Sequence, residues 1–344
     1  MGCFEIVKGA GLTAKDPLSV RSSLQPHSDG DLPMLSRMQS DPNRLLGAEN
    51  APGQIFEPNT DAPDIVGYQE LDVSLDSEAK TFWCYMRPIR APSITPSILH
   101  DFLDLHTGMT LGSILKAHGC NTPLEYYVQG SRIPGIYSLG GDLAFMIECV
   151  RTEDRESLLV YAHNCVQVVF NISTGFDRDI ISIGLIEGDA LGGGFEAALC
   201  CNFIIAERSA RFGLPEILFN CFPGMGAYSF LSRKVGPLLT EKMMQSGKIY
   251  TAAEMHEVGI VNQLAEDGRG KDAVINFIKA KRPTHAVRNS LCKIRQRVNP
   301  IKLDEMRNIT EMWVDTTLRL SPSDLKIMQR LLAAQQRRLQ SLTG

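Results

Sequence analysis

Hydrophobic residues are sparse and aperiodic over the first 66 positions of this 344-residue chain, and become regular from Tyr68 onward. Leu71, Val73 and Leu75 alternate with polar residues, the period of a half-buried strand, and Thr81-Phe-Trp-Cys-Tyr-Met-Arg87 supplies a partner strand across a polar turn. Thr95 and Pro96 read as an N-cap followed by proline at the first helical position. The helix they open runs to about His106, with Ile98, Leu99, Phe102, Leu103 and Leu105 on its apolar side. Tyr126–Gln129 predicts a short strand that leads into a loop ending at Gly140-Gly141, and Leu143–Val150 and Arg155–Ile172 predict helices.

Asp179–Glu187 is a nearly continuous apolar run rich in isoleucine, as expected of a strand buried on both faces. It delivers the chain to Gly192-Gly193-Gly194, after which Phe195–Cys201 suits a short buried helix. Phe203–Ala206 predicts another buried strand, followed by a turn that carries Glu216. Near the end, Ser321-Pro322-Ser323-Asp324 opens a helix with Leu325, Met328, Leu331 and Leu332 on one face, set against the core or a neighbouring subunit. Three regions follow: an extension over 1–66, a core over 67–263 and a helical region over 264–344.

Composition sharpens two of these. Residues 1–66 hold seven prolines and six glycines with few aromatics, which describes an unpacked segment, with Met34–Leu46 its one candidate helix. Overall, 44% hydrophobic and 22% charged residues describe a globular protein, and a net charge of −4 argues against general nucleic-acid binding. No apolar run reaches the length of a membrane span, and the N-terminus lacks the basic-then-apolar layout of a secretory signal. Nine cysteines without a Cys-x-x-Cys pair indicate neither a disulfide framework nor a zinc site, so a cytoplasmic setting is expected. One segment departs from the acidic average: Lys279 to Lys302 holds eight Lys or Arg and no acid. It is either a solvated helix face or a docking surface for an acidic partner.

The candidate chemistry lies in two glutamates behind tight turns, Gly192-Gly193-Gly194-Phe195-Glu196 and Gly213-Leu214-Pro215-Glu216, with a second glycine turn at Leu139-Gly140-Gly141-Asp142. Neighbouring carboxyls in a dry site push their pKa values apart, so one can act as acid while the other acts as base. Glycine turns and a helix end let backbone N–H groups approach a developing enolate oxygen. The alternatives are structural: the triple glycine allows close helix-on-strand packing, Glu216 caps a turn, and Asp142 caps the helix at Leu143. The seven histidines sit in no ligand spacing. Neither a metal nor an organic cofactor is called for.

From Ser138 to about Asn262 the chain resembles the crotonase (enoyl-CoA hydratase/isomerase) superfamily, through Leu139–Asp142, Ala190–Glu196 and Phe212–Glu216. Phe222–Phe230 and Ile309–Thr316 look more like one branch, the bacterial diffusible-signal-factor synthases, and that likeness runs from about Tyr68 to the C-terminus. The resemblance implies an α/β fold, a spiral of ββα units with a C-terminal helical region that builds trimers or hexamers. It implies a cofactor-free enzyme that dehydrates 3-hydroxyacyl groups on acyl carrier protein, or on coenzyme A, and hydrolyses the thioester to a free cis-2-unsaturated fatty acid signal. Glu196 and Glu216 fall on its catalytic glutamates, and Leu139, Gly140 and Gly193 on its oxyanion hole. Gly141, Gly192, Leu214, Met225 and Trp313 are expected in the substrate pocket, Trp313 as a tunnel wall or as helix packing. Two other readings stand beside this one: an ordinary enoyl-CoA hydratase of fatty acid metabolism, and a regulatory protein that binds the receiver region of a sensor kinase.

Overall fold

The computed structural model describes residues 67–114 and 123–343; the 1–66 extension, with its candidate helix, lies outside the described residues. Strands β1 (Leu71–Asp76) and β2 (Thr81–Met86) form the expected antiparallel hairpin, Leu71 opposite Met86. Asp76 closes the turn by accepting the Ala79 N–H. Helix α1 (Pro96–Leu111) starts at Thr95, whose hydroxyl accepts the Ile98 N–H, and ends at Gly112 in the left-handed region.

From there the chain repeats one unit. Strands β3 (Tyr126–Ser131) and β4 (Gly135–Ser138) are followed by helices α2 (Leu143–Thr152) and α3 (Arg155–Ser173). Strands β5 (Ile181–Ile186) and β6 (Gly188–Leu191) are followed by α4 (Gly193–Leu199). Strands β7 (Phe203–Glu207) and β8 (Arg211–Gly213) are followed by a 3-10 turn (Pro215–Phe219), α5 (Ala227–Val235) and α6 (Pro237–Ser246). The first strand of each pair joins one sheet and the second another. The larger sheet runs β1-β2-β3-β5-β7-β10 and the smaller β4-β6-β8-β9, with β9 at Ile249–Thr251 and β10 at Gln263–Ala265. Successive repeats pair in parallel in both sheets, so the chain winds as a spiral.

Strand β5 is buried along its whole length because both faces of the larger sheet are covered. Ile181, Ile183 and Leu185 pack with Val274, Phe277 and Ile278 of α8 (Gly270–Lys281) on one face. On the other, Ile186 joins the main core with Phe102 of α1 and Val166 of α3. The seven described cysteines are buried and free. Beyond α7 (Ala252–Glu257) and α8 come α9 (His285–Val298), α10 (Leu303–Thr317) and α11 (Pro322–Thr343). The last packs on α2 and the 3-10 turn and reaches the small sheet through Arg338, which bonds the Gly135 carbonyl and the buried carboxylate of Asp189, which also takes two bonds from Arg211 at 2.9 and 2.6 Å. A carboxylate enclosed this far needs both guanidinium partners, and losing one costs on the order of 3 kcal/mol.

Candidate active site

Three turns meet at one edge of the small sheet. Strands β4, β6 and β8 are parallel neighbours, Ser138 paired with Ala190 and Leu191 with Gly213, so their carboxyl ends finish side by side. The chain leaves them through Leu139–Gly141, Gly192–Gly194 and Leu214–Glu216, and the Gly192 N–H bonds the Gly213 carbonyl at 2.8 Å. The alternatives for the triple glycine divide between its members. A β-carbon at Gly194 would fall 2.2 Å from the Ser138 carbonyl oxygen, so this glycine permits α4 to cross the end of β4. Gly192 has φ 53° and ψ −129°, and a β-carbon there would lie 2.7 Å from Glu216 Oε1. That glycine makes room for the carboxyl.

Glu196, in the first turn of α4, is 2% exposed, and Glu216, in the 3-10 turn, is 8% exposed. Glu196 Oε1 accepts the N–H groups of Met225 and Ala227, each at 2.8 Å. Burial pushes Glu196 up to about 7, and the two backbone donors restrain the rise by favouring the anion. Glu216 is raised well above the ordinary range, first by burial and then by the charge of Glu196. Among the described residues its Oε2 meets no partner. The unequal donors therefore leave the proton on Glu216 and the negative charge on Glu196.

The segment that supplies those donors is held by the C-terminal helices. Thr310 of α10 donates to the Gly224 carbonyl at 2.6 Å, and Gly224 packs directly on Trp313, where a β-carbon would come within 2.3 Å of the ring. The two segments that carry the branch resemblance, 222–230 and 309–316, thus touch each other beside Glu196.

The N–H of Leu139 donates to the Pro92 carbonyl at 2.7 Å, and that of Gly140 donates to Ser138 Oγ at 3.3 Å. Both groups are engaged, which removes Leu139 and weakens Gly140 as oxyanion donors. Among the described residues the N–H groups of Gly141 and Gly193 meet no acceptor, and the glycines face each other: a β-carbon at Gly193 would stand 3.4 Å from Gly141 N. Tyr161 of α3 fixes this turn by accepting the Asp142 N–H at 3.0 Å and donating to the Ile94 carbonyl at 2.7 Å. Asp142 caps α2, accepting from Ala144 and Phe145.

These groups border a cavity of about 100 Å³ whose walls include Gly141, Gly192, Met225, Trp313, Leu331 and Gln335. Leu214, expected in this wall, instead packs in the main core at 1% exposure, and Pro215 takes its place. Tyr161, Thr310 and Gln335 were not legible as site residues, because each sits in a helix whose apolar period gives no sign of it. Among the described residues no group of His, Cys, Asp and Glu is arranged to hold a metal ion, and no helix is long and apolar enough to cross a membrane.

A spiral of ββα units with two buried carboxyls over paired glycine turns defines a crotonase-type α/β protein. Residues 128–299, half of the chain, match the family model for enoyl-CoA hydratase/isomerase, and the chain belongs to that family. It is 34% identical over 127 residues to the crotonyl-CoA hydratase of Syntrophomonas wolfei, covering 37% of this chain and 46% of that protein. This chain spans less than half the length of such curated relatives. The solved structure of human mitochondrial delta3-delta2-enoyl-CoA isomerase superposes with a TM-score of 0.63 at 18% identity, over 80% of this chain and all of that one. That of Pseudomonas aeruginosa DspI gives 0.56 at 21% identity, over 71% and 86%. At these identities the structural likeness speaks for the fold.

A carboxyl raised by burial stabilises the fold below its unfolded pKa and loses that contribution as pH climbs toward its folded value. Glu216→Gln removes the titration and keeps the volume. The variant should gain melting temperature over the parent as pH rises from about 5 to 9, with the two nearly equal at the acid end. A difference that stays constant across that range would show that Glu216 is ordinary.

Proposed function

We propose that this chain removes water from 3-hydroxyacyl thioesters and then hydrolyses the thioester, releasing a cis-2-unsaturated fatty acid from acyl carrier protein. The observation that carries the reading is the pair of unequal glutamates beside the unengaged N–H groups of Gly141 and Gly193. With the thioester oxygen on those two donors, each worth about 3 kcal/mol of barrier, C2 lies one bond from the carbonyl carbon. Glu216, which holds the proton, is assigned to C2, and the charged Glu196 to the oxygen at C3. The pair holds one proton. In the hydration sense Glu196 takes a proton from water as it attacks C3, and Glu216 delivers its own to C2. Dehydration is the reverse: the proton starts on Glu196, the C2 proton passes to Glu216, the C3–O bond breaks, and water leaves.

The second step uses the same groups. A water deprotonated by one glutamate attacks the thioester carbonyl, the tetrahedral oxyanion rests on Gly141 and Gly193, and the C–S bond breaks as the sulfur takes the proton back. The cis product and the carrier follow from the likeness of 222–230 and 309–316 to the signal synthases. The basic run supports an acidic carrier, since four of its eight cations lie on α9, where Lys293, Arg295 and Arg297 are exposed. Exposed Val287, Leu291, Ile294 and Val298 on the same helix support contact with further subunits, as in a trimer or hexamer.

Mass spectrometry of products from purified protein, given 3-hydroxyacyl groups on carrier protein or on coenzyme A, tests this directly. Free cis-2-enoic acid is expected, lowered at least about 100-fold by Glu196→Gln and by Glu216→Gln. A trans-2-enoyl thioester alone would make the protein an ordinary hydratase, and no product would favour the regulatory role.

Trp313 lines a cavity much smaller than the roughly 300 Å³ at the low end for ligand pockets, and we assign it the acyl end wall. Trp313→Ala should shift preference toward longer acyl chains, by up to about fourfold per added carbon, since a buried CH₂ contributes about 0.8 kcal/mol. A lower melting temperature with unchanged chain-length preference would reduce Trp313 to helix packing.

A further inference from the structure

Gln335 comes from the far end of the sequence, on α11, yet it lines the cavity that holds the two glutamates. It is 7% exposed. Its Nε2 donates to the Leu139 carbonyl at 3.1 Å, across 196 residues of sequence. That bond fixes the orientation of the amide, because a carbonyl accepts only from the nitrogen. The oxygen is therefore left over. Among the described residues Gln335 Oε1 is buried and has no donor.

A buried acceptor without a donor is disfavoured, and among the described residues none of the donors on the cavity wall bonds this oxygen. Thr310 donates its hydroxyl to backbone carbonyls, and Tyr161 donates its own to Ile94. Met225 and Leu331 present hydrocarbon, and the indole N–H of Trp313 is directed at the Cys221 thiol. Leu139 lies two residues before the unengaged N–H of Gly141, so Gln335 stands beside the place where the proposed reaction puts its thioester.

We propose that Gln335 is a substrate-contacting residue: its Nε2 holds the oxyanion turn, and its Oε1 accepts a hydrogen bond from a donor on the bound thioester. This rests on the thioester reading above. Neither a thioester group nor a hydrocarbon chain carries a donor. Two parts of the substrate do: the 3-hydroxyl on the acyl side, and the amide N–H of the thiol arm that coenzyme A and carrier protein share. The cavity so read selects a thioester with a donor on one particular side of the carbonyl. The same contact explains why the last helix reaches the site, since it couples docking of α11 to the shape of the Leu139–Gly141 turn.

The test measures competitive inhibition by three unreactive or slow ligands of equal acyl length. They are a saturated acyl thioester of N-acetylcysteamine (amide only), a 3-hydroxyacyl propanethiol ester (hydroxyl only) and a saturated acyl propanethiol ester (neither). The full-length protein should bind one donor-bearing ligand roughly 5- to 100-fold better than the donorless ester. Gln335→Met should abolish that difference, whatever loss of the Leu139 contact costs all three ligands alike. Gln335→Glu, measured at a pH where the buried carboxyl is protonated so that it can donate to the Leu139 carbonyl and still accept, should retain it. The ligand that loses binding identifies the donor. Equal affinity of the parent protein for all three ligands overturns the proposal without recourse to any variant, and so does a donor preference that survives intact in Gln335→Met. Selective binding without turnover of any 3-hydroxyacyl thioester would instead overturn the functional reading and leave this contact standing.

Discussion

Two carboxyl groups taken out of water side by side cannot both be charged, and the rest of the site follows from how the fold settles which one is. Glu196 receives two backbone donors from Met225 and Ala227, whereas Glu216 receives the unfavourable field of Glu196 and leaves an oxygen without a partner. One glutamate thus carries the charge and the other is kept protonated. The hydration sense of the proposed reaction starts from that state, and dehydration returns the pair to it. The donors are backbone atoms, so their effect depends on the 222–226 segment keeping its shape. Thr310 and Trp313 of α10 hold it there.

The second constraint is topological. Three parallel strands of only three or four residues end together, and the three turns that follow them bring a pair of N–H groups and two carboxyls within one small volume. Short strands suffice because the larger sheet and its two covered faces carry the packing. Helix α4 has seven residues, so its dipole adds little, and in the proposed reaction the oxyanion would rest on the individual N–H groups of Gly141 and Gly193. Docking of α11 through Arg338 and Gln335 ties the C-terminus to both the small sheet and the oxyanion turn.

Elements with a long or uninterrupted signal were legible in the sequence: the hairpin at 71–87, the isoleucine run that becomes β5, and the capped helices at Thr95, Asp142 and Ser321. Strands β4, β6 and β8 were not, because three or four residues hold too little of a two-residue period to stand out beside glycine turns. The glutamates were visible as charges in apolar surroundings. Choosing among the N–H groups of Leu139, Gly140 and Gly141 was beyond the sequence, since the choice turns on the Pro92 carbonyl 47 residues upstream. Leu214 and Pro215 exchange places for a similar reason: neighbours in a tight turn point apart, and only packing says which faces the core. Gln335 gave no signal, being one polar residue on an amphipathic helix.

The central claim is the unequal protonation of the pair. Carbon-13 NMR of the side-chain carboxyls in glutamate-labelled, unliganded protein, assigned with Glu196→Gln and Glu216→Gln, reads it directly. The account predicts that Glu196 titrates near about 7 and that Glu216 stays protonated beyond it. Two carboxyls that both ionise near the ordinary 4.5 would contradict it.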